Sequence, residues 1–340
     1  MDEMARRTAG ALLSSVLFSV SLLSQSLPVF RSRSDVVVVP VTVTDRSGRF
    51  VTGLTADQFE IRDSGERRAI VQFSTERVPV SLGILLDISA SMATDAKARA
   101  LDDARWADTG RALELLVDRL DPRDEVFFAP FSDKVGMAVP WTRDHQQVTR
   151  AFKTIRPGGY TALFDAVRLI APAFEKAAHA RQSLLVISDG RDSLVPRITT
   201  RVVPSSTSTP LSRPQQVQLE ILQRQQALRD AAIGAAQAAV KKSGVALYTI
   251  GMGTGTGASV DLQNLETLTG DSGGYVEAIS QSSEISAAVA RMFDELQSQY
   301  VLAFEPAHAD GTYHEIEVTH VNRDFRVRGR TGYQAAGSRK

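Results

Sequence analysis

The middle of the chain alternates short apolar runs with longer stretches in which apolar residues recur at helical spacing. Ser81–Leu86 and Ser183–Ser188 are apolar runs, each followed by an aspartate, as expected of strands buried on both faces of a parallel sheet. Apolar residues three to four positions apart over 95–120, 162–178 and 214–243 predict helices. Because strand and helix alternate, the pattern predicts an α/β fold with a doubly wound, mostly parallel sheet.

The two flanks of this region differ from it, because they contain strand signals without helices. The predicted strands lie at 36–44, 59–63, 69–73, 300–304, 315–320 and 325–328. Neither flank has enough strands to bury a core alone, whereas together they supply about six or seven, the number found in a small sandwich. We therefore expect one β-sandwich, built from both flanks and interrupted by the α/β domain. The alternative is that each flank extends the central sheet.

This division sets the predicted domain boundaries. The first half of the sandwich occupies residues 35–78, the α/β domain 79–298 and the second half of the sandwich 299–334. Residues from about 191–213 are rich in Ser, Thr and Pro, so we predict an exposed insertion there. The long helix after it should stop at Gly244, a residue type that ends helices readily.

The first 26 residues have the pattern of an export signal. Arg6 and Arg7 precede the apolar stretch Ala9–Leu23, and the small residues Ser24 and Ser26 follow it. The stretch is short for a membrane span, which needs roughly 20 apolar residues. We predict that residues 1–26 are cleaved and that the mature protein is secreted, periplasmic or on a bacterial cell surface. The alternative, an uncleaved N-terminal anchor, would be the only contact with a membrane.

Composition and charge narrow the chemistry further. The chain has no cysteine, which excludes disulfides, thiolate metal sites and cysteine nucleophiles. Lys and Arg number 39, as do Asp and Glu, so the formal net charge is zero and a nucleic-acid partner is not expected. The glycine-rich stretch Gly251–Gly257 matches neither phosphate-loop template, so we expect no nucleotide.

Polar residues follow the predicted strands at the places where an open α/β sheet binds ligands. Asp87, Ser89 and Ser91 alternate after one strand, and Asp189 follows another. Thr161 comes after a glycine pair, directly before a helix. These carboxylates and hydroxyls are hard oxygen donors, which suit Mg²⁺, and also Mn²⁺ or Ca²⁺. A purely capping role for the first three residues would not explain the placement of the other two.

The arrangement resembles the metal-ion-dependent adhesion site (MIDAS) of the von Willebrand factor A (VWA) family. The Asp-x-Ser-x-Ser motif of that family is matched by Asp87, Ser89 and Ser91. Its threonine in a glycine-rich loop is matched by Thr161, and its strand-end aspartate by Asp189. The order of the motifs and of the elements between them also agrees. The strands on both sides resemble an exported bacterial subfamily with the motif intact.

The resemblance implies a role for each of these residues. Ser89, Ser91 and Thr161 would ligate the metal directly, while the two aspartates often act through water. An ion held by neutral hydroxyls stays electrophilic, so a partner's Asp or Glu carboxylate would be a good final ligand. The chain departs from the family in the longer segment after Asp189 and in Tyr160, which precedes the threonine. Neither departure removes a ligating atom.

We therefore predict an adhesion-type module that binds a protein or surface ligand through a metal, with no catalytic residues. One alternative is an assembly scaffold in which the metal is structural. Another is a Mg²⁺-dependent hydrolase, which would need a general base that the motifs do not supply. His308, His314 and His320 are spaced by six. We predict that the last two lie on a solvated strand face, because no further ligands complete a zinc site.

Overall fold

The protein is described by a computed structural model that covers residues 36–93, 99–194, 212–253 and 260–337, without the side chains of residues 93 and 99–103. The export signal predicted at 1–26 and most of the insertion predicted at about 191–213 lie outside the described residues. Within the described residues, no helix is long and apolar enough to cross a membrane.

The described secondary structure begins and ends in strands. The strands are β1 (Val37–Thr44), β2 (Phe59–Asp63), β3 (Glu66–Arg68), β4 (Ile70–Ser74), β5 (Val80–Asp87), β6 (Glu125–Phe131), β7 (Val139–Thr142), β8 (Arg181–Ser188), β9 (Ala246–Met252), β10 (Val276–Ile279), β11 (Tyr300–Phe304), β12 (Tyr313–His320), β13 (Arg326–Gly329) and β14 (Gly332–Gln334). The helices are α1 (Ala90–Ala93), α2 (Arg99–Arg119), α3 (Gln146–Phe152), α4 (Leu163–Ile170), α5 (Arg213–Ser243), α6 (Leu262–Thr269) and α7 (Ile285–Ser298). Short 3₁₀ turns lie at Ala56–Gln58, Ala171–Lys176, Gly270–Ser272 and Ser282–Glu284.

The central sheet has six strands in the order β10-β9-β8-β5-β6-β7. All neighbours pair in parallel except β7, which is an antiparallel edge strand. The predicted doubly wound, mostly parallel sheet is therefore confirmed. Every residue of β5 is buried, as its apolar sequence predicts. Gly83 is required in β5, because a Cβ there would lie 2.4 Å from the Phe127 ring.

Two apolar cores cover the faces of this sheet. On one face, α2 and α7 pack residues such as Leu116 and Phe293 against Ile84. On the other face, α4 and α5 contribute Val167 and Val240 to a second core. Successive side chains of a strand point to opposite faces, so a strand covered on both sides is apolar throughout.

The flanks form two further four-stranded sheets, with the orders β13-β1-β11-β4 and β14-β12-β2-β3. Each sheet combines strands from both ends of the chain: β1 pairs with β11, and β2 with β12, both antiparallel. Val39 and Ile61 from the first flank share a core with Leu302 and Phe304 from the second. In the described residues, neither flank adds a strand to the central sheet. The shared sandwich is therefore present, and the domain limits given above remain predictions.

Several elements differ from the sequence-based prediction. The sandwich has eight strands rather than six or seven, because β3 and β14 are only three residues long and carry no alternating apolar pattern. The helix predicted over 162–178 ends as α4 at Ile170 and continues as a 3₁₀ turn, because a proline enters the next turn. The long helix α5 stops at Gly244 with φ +69°, as predicted.

A buried polar network joins the central sheet to the sandwich. Arg181 donates to Gln299 Oε1 at 2.9 Å, and Gln299 Nε2 donates to the Tyr248 hydroxyl at 2.9 Å. Thr42 Oγ1 donates to Glu295 Oε1, also at 2.9 Å. Burial lowers the pKa of Arg181 to about 10, so its guanidinium remains charged at neutral pH. A buried guanidinium requires hydrogen-bond acceptors close by. This requirement restrains the position of the sandwich relative to the central sheet.

Candidate metal centre

The predicted metal ligands lie on three loops at the carboxyl edge of the central sheet. Asp87 is the last residue of β5, and Asp189 directly follows β8, its parallel neighbour. Parallel pairing in register brings the ends of these two strands to the same edge. Thr161 lies in the loop that connects α3 to α4.

The first loop is ordered around the buried carboxylate of Asp87. Its Oδ1 accepts a hydrogen bond from the backbone N–H of Ser89 at 2.9 Å. Its Oδ2 accepts one from the hydroxyl of Ser188 at 2.7 Å, which ties β5 to β8. The hydroxyl oxygens of Ser89 and Ser91 lie 3.0 Å apart. Alternation along the loop therefore brings the two predicted serine ligands together.

The second loop packs directly on the first. The backbone N–H of Gly158 donates to the carbonyl of Ile88 at 2.7 Å, and Ala90 N–H donates to the carbonyl of Gly159 at 3.0 Å. Gly159 has φ +89°, a conformation that residues with a Cβ rarely adopt. These contacts hold Thr161, which is buried, beside the serine loop.

The third loop carries the second buried carboxylate. Asp189 Oδ1 accepts a hydrogen bond from the backbone N–H of Arg191 at 2.9 Å. Asp189 Oδ2 is buried and has no hydrogen-bond partner among the described residues, although Arg191 Nε lies 3.6 Å away. A buried carboxylate oxygen without a hydrogen bond is costly, and Arg191, at ion-pair rather than hydrogen-bond distance, offsets that cost only in part, so this atom is a candidate ligand for a further cation.

Burial destabilises the charged form of Asp87 at this edge. Burial, together with a smaller contribution from the charge of Asp189, raises the pKa of Asp87 to about 7, although hydrogen bonds from Ser89 and Ser188 act to lower it. Two buried carboxylates at one edge repel each other in a medium that screens charge poorly. A divalent cation beside them would supply the missing positive charge.

The donor set fits a small, hard cation. In an octahedral Mg²⁺ site with oxygens at about 2.0–2.1 Å, adjacent ligand oxygens are about 2.9 Å apart. The 3.0 Å separation of the Ser89 and Ser91 hydroxyls matches that spacing. The described residues contain no cluster of three or more His, Cys, Asp or Glu side chains suited to a metal. A metal at this edge would therefore depend on hydroxyl ligands.

Three further residues support the site and were missed in the sequence. Ser193 accepts from the backbone N–H of Thr161 through its hydroxyl at 3.3 Å and donates its own N–H to the Thr161 carbonyl at 2.7 Å. Asp192 accepts the N–H of Phe164 at 3.0 Å, in the first turn of α4. Both follow Asp189 closely in the sequence, and their preference for helix N-termini was a usable signal. Arg105 bridges the carbonyls of Ser91 at 3.3 Å and Gly253 at 2.7 Å, without any sequence signal.

The predicted solvated face for His314 and His320 is wrong. Both histidines are buried, because they share the face of β12 that carries Ile316 into the sandwich core. His314 lies with Nε2 3.1 Å from Asp310 Oδ1, and stacks on a tyrosine ring. His320 packs edge-on against Phe59 with ring centroids 5.3 Å apart. These imidazoles are part of the core of the sandwich, and they lie on its strands rather than on the metal loops.

Comparison with known proteins finds one family model that is similar to part of the central region. Residues 82–191 match the von Willebrand factor type A domain family. This span contains all five predicted metal ligands. No curated protein matches the chain.

Several solved structures have a similar fold. BatB, a conserved hypothetical protein from Bacteroides thetaiotaomicron, is 19% identical with a TM-score of 0.45, over 64% of this chain and 98% of that one. The vWF domain of the type V pili tip protein Mfa5 from Porphyromonas gingivalis is 13% identical with a TM-score of 0.45, over 64% of this chain and 95% of that one. Proximal thread matrix protein 1 from the mussel byssus, with a zinc-occupied MIDAS motif, is 16% identical with a TM-score of 0.42, over 65% of this chain and 48% of that one.

Proposed function

We propose that this chain is a non-catalytic module, located outside the cytoplasm, that binds a protein or surface ligand through a divalent metal. Ser89, Ser91 and Thr161 would hold the metal directly, and Asp87 and Asp189 would balance its charge. One observation carries the proposal. Two buried carboxylates lie at one edge of the central sheet, beside paired serine hydroxyls, and Asp189 Oδ2 lacks a hydrogen bond among the described residues.

The chemistry of the ligands supports Mg²⁺, with Mn²⁺ or Ca²⁺ as alternatives of the same oxygen preference. Two aspartates balance one divalent charge, so the loaded site is close to neutral. Because the direct ligands are uncharged hydroxyls, the ion keeps its affinity for an anionic oxygen. The partner would therefore contribute an Asp or Glu carboxylate to the open position.

Exposed apolar side chains beside the metal loops support a protein partner. Tyr160 precedes Thr161 and is 71% exposed, and Leu194 follows Ser193, the residue bonded to Thr161, and is 53% exposed. Aromatic and aliphatic side chains around a polar anchor are typical of the centre of a binding surface. We propose that the carboxylate of the partner reaches the metal while neighbouring apolar groups cover Tyr160 and Leu194.

Titration calorimetry with Mg²⁺ tests the metal site. The wild-type chain should show one site, and Thr161→Ala should weaken Mg²⁺ binding at least about tenfold because one direct oxygen is lost. Thr161→Ser is the matched control, since it keeps the hydroxyl and should retain most of the affinity. Equal affinity for wild type and Thr161→Ala would show that Thr161 is not a ligand.

Capture of partners from the native cell envelope tests the function. Binding to wild type in Mg²⁺ should be lost on adding EDTA and lost with Thr161→Ala, but kept with Thr161→Ser. Partner capture that is unchanged by EDTA and by Thr161→Ala would favour the assembly scaffold with a structural metal. Turnover of phosphoester or ester substrates that requires Mg²⁺ and Thr161 would favour the hydrolase instead.

The proposed location has its own test. A reporter enzyme that works only outside the cytoplasm, fused after residue 34, should be active if the N-terminal segment directs export. A reporter retained quantitatively in the cytoplasm would contradict the location without affecting the metal site.

A further inference from the structure

Helix α5 uses only part of its surface in the fold. It has 31 residues and is about 46 Å long at 1.5 Å per residue, whereas an eight-residue strand such as β8 spans about 26 Å. Its buried residues, Ala236 and Val240, are in its C-terminal half. Every residue from 213 to 228 is exposed or only partly buried. The N-terminal half of α5 therefore buries little of its surface against the rest of the described fold.

A second apolar line runs along the exposed surface of α5. Its positions alternate steps of four and three residues, and all of them are exposed: Val217, Ile221, Arg224, Leu228, Ala231, Ala235 and Ala238. We call this set the α5 seam. Its three largest apolar side chains keep 48%, 47% and 58% of their surface exposed, in chain order. A mean spacing of 3.5 residues is the period at which one helix keeps the same stripe against a second helix.

The α5 seam is centred away from the face that packs on the domain. At 100° per residue, its mean direction lies roughly 120° around the helix axis from the line of Ala236 and Val240. Ile221 is the seam residue nearest the core face, and it remains 47% exposed. Its apolar side chains have no packing role in the described fold, and a stripe of this kind is a docking surface.

The charges on and beside the seam indicate what occupies it. A membrane-surface helix needs a polar face rich in Lys and Arg, whereas residues 215–228 contain Glu220, Arg224 and several glutamines. Arg224 is the only charged residue in the seam, and Glu220 precedes it by one turn. When two copies of α5 cross antiparallel, Glu220 of each copy can face Arg224 of the other. A parallel pair would instead place the two arginines against each other.

We propose that α5 pairs antiparallel with α5 of a second copy of this chain, and that the α5 seam is the contact. In the register that joins Glu220 to Arg224, Val217 of one copy packs on Leu228 of the other, and Ile221 packs beside the stem of Arg224. Residues 195–211 of the same chain fit the seam less well, because prolines at 196, 204 and 210 interrupt any helix there. In this register the two helices overlap only over residues 213–232, and Ala235 and Ala238 reach past the start of the partner's α5, so the contact is short and dimerisation should depend on concentration.

Sedimentation equilibrium of the full chain, from about 1 to 100 μM, measures this contact over the range expected of a weak interface. The wild type should pass from monomer to dimer. Leu228→Glu and Val217→Glu should each weaken dimerisation at least about tenfold, because each places an unpaired charge in an apolar contact. Gln223→Glu is the matched control on the exposed polar face of the same helix, and should dimerise like wild type. Circular dichroism should show the same helix content and thermal midpoint in all three variants.

Disulfide trapping can measure the relative orientation of the two α5 helices in the dimer, because the chain has no cysteine of its own. A mixture of Val217→Cys and Leu228→Cys proteins should form a mixed disulfide dimer under mild oxidation, while neither protein alone should do so. In an antiparallel pair, two copies of one position are separated by about 16 Å along the axis, beyond the reach of a disulfide. Self-cross-linking of each variant without mixed dimers would show a parallel pair and overturn the orientation.

Three results would overturn the pairing itself. The first is a wild type that stays monomeric at every concentration. The second is a dimer as sensitive to the control variant as to the seam variants. The third is a monomeric wild type whose thermal midpoint falls strongly with Leu228→Glu but not with Gln223→Glu, which would show that the seam is covered by residues 195–211 of the same chain.

Discussion

The central sheet and the sandwich are both built on buried β-branched and aliphatic strands, but they draw those strands from the chain in different ways. β5 pairs with β6 and β8, which all lie within one continuous stretch of sequence. In the sandwich, β1 pairs with β11 and β2 with β12, across the whole α/β region. The central sheet can therefore form from local segments, whereas the sandwich forms only when distant segments meet.

The two regions also differ in the chemistry that they can present. Parallel strands end at the same edge, so β5 and β8 place Asp87 and Asp189 side by side. Antiparallel strands alternate in direction, so neither edge of the sandwich sheets collects strand ends in this way. Two titratable groups of β12, His314 and His320, are drawn into the core instead, while its two glutamates stay exposed. Predictions that separate the two regions follow, in order of decreasing effect.

Deleting residues 300–340 should produce the largest effect. β1 would lose both of its neighbours and β2 would lose β12, so amides across 37–74 should lose their protection from hydrogen exchange. The exposed edges should also cause aggregation. Amides of β5 should stay protected, because both cores around the central sheet remain. Retained protection across 37–74 would contradict the shared sandwich core.

Ile61→Ala removes a fully buried side chain from that core and should lower the free energy of unfolding of the sandwich by about 2–5 kcal/mol. Native-state hydrogen exchange should show the loss in β2 and β12 together, since Ile61 pairs with Val318. Val71→Ala, at an exposed position in β4, is the control and should change little. An equal loss in β5 would mean that the two regions unfold as one unit.

Asp87→Asn should stabilise the metal-free protein at pH 8. In the folded chain the pKa of Asp87 is about 7, against 3.8 for the ordinary carboxyl, so its contribution to stability falls as pH rises from about 4 to 7. Asn does not titrate, and the gain should reach up to about 4 kcal/mol above that window and vanish near pH 4.

Urea unfolding in the presence of a chelator measures this difference at the two pH values. Mg²⁺ should reverse it at pH 8, because only the carboxylate of the wild type balances the ion. Equal stabilities of wild type and Asp87→Asn at both pH values would show that the Asp87 carboxyl is not destabilised by its burial.

Gly83→Ala should have the smallest effect of the series, a loss of about 1–3 kcal/mol from overpacking. The new Cβ would lie 2.4 Å from Phe127 and 2.9 Å from a Leu184 methyl, so both must shift. Gly136→Ala is the control, because nothing lies within 4 Å of a Cβ at that position. The loss should be confined to the central sheet in hydrogen exchange, and an unchanged midpoint would show that the ring moves freely.

The local patterns that predicted the central sheet also located its polar edge. β5 and β8 contain apolar runs, and an aspartate ends β5 and directly follows β8, so their burial and their direction could be inferred without knowledge of the partners. The split sandwich could be inferred because neither flank of the chain has enough strands to bury a core alone, whereas the two flanks together do. β3 could not, because its sequence, Glu66–Arg68, is polar and owes its pairing to a hairpin with β2.

The supporting contacts of the candidate site were harder to infer. Ser188 completes the strand run in sequence, yet its hydroxyl turns toward Asp87 and links the two central strands. Arg105 is one of many arginines on exposed helices, and only its tertiary contacts distinguish it. The burial of His314 depends on the register of β12 against its neighbours, which the spacing of three histidines does not contain.

The network around Arg181 has a mechanical consequence. Tension applied at the proposed metal site would enter the domain through the ends of β5 and β8 and run down both strands in parallel, loading their backbone hydrogen bonds in shear. At the far end of β8, Arg181 is bonded to the carbonyl of Val78 at 3.1 Å and to Gln299, the residues that lead into β5 and β11. The load would pass there into the antiparallel pair of β1 and β11. The sandwich would therefore anchor the central domain against a force applied at the proposed binding edge.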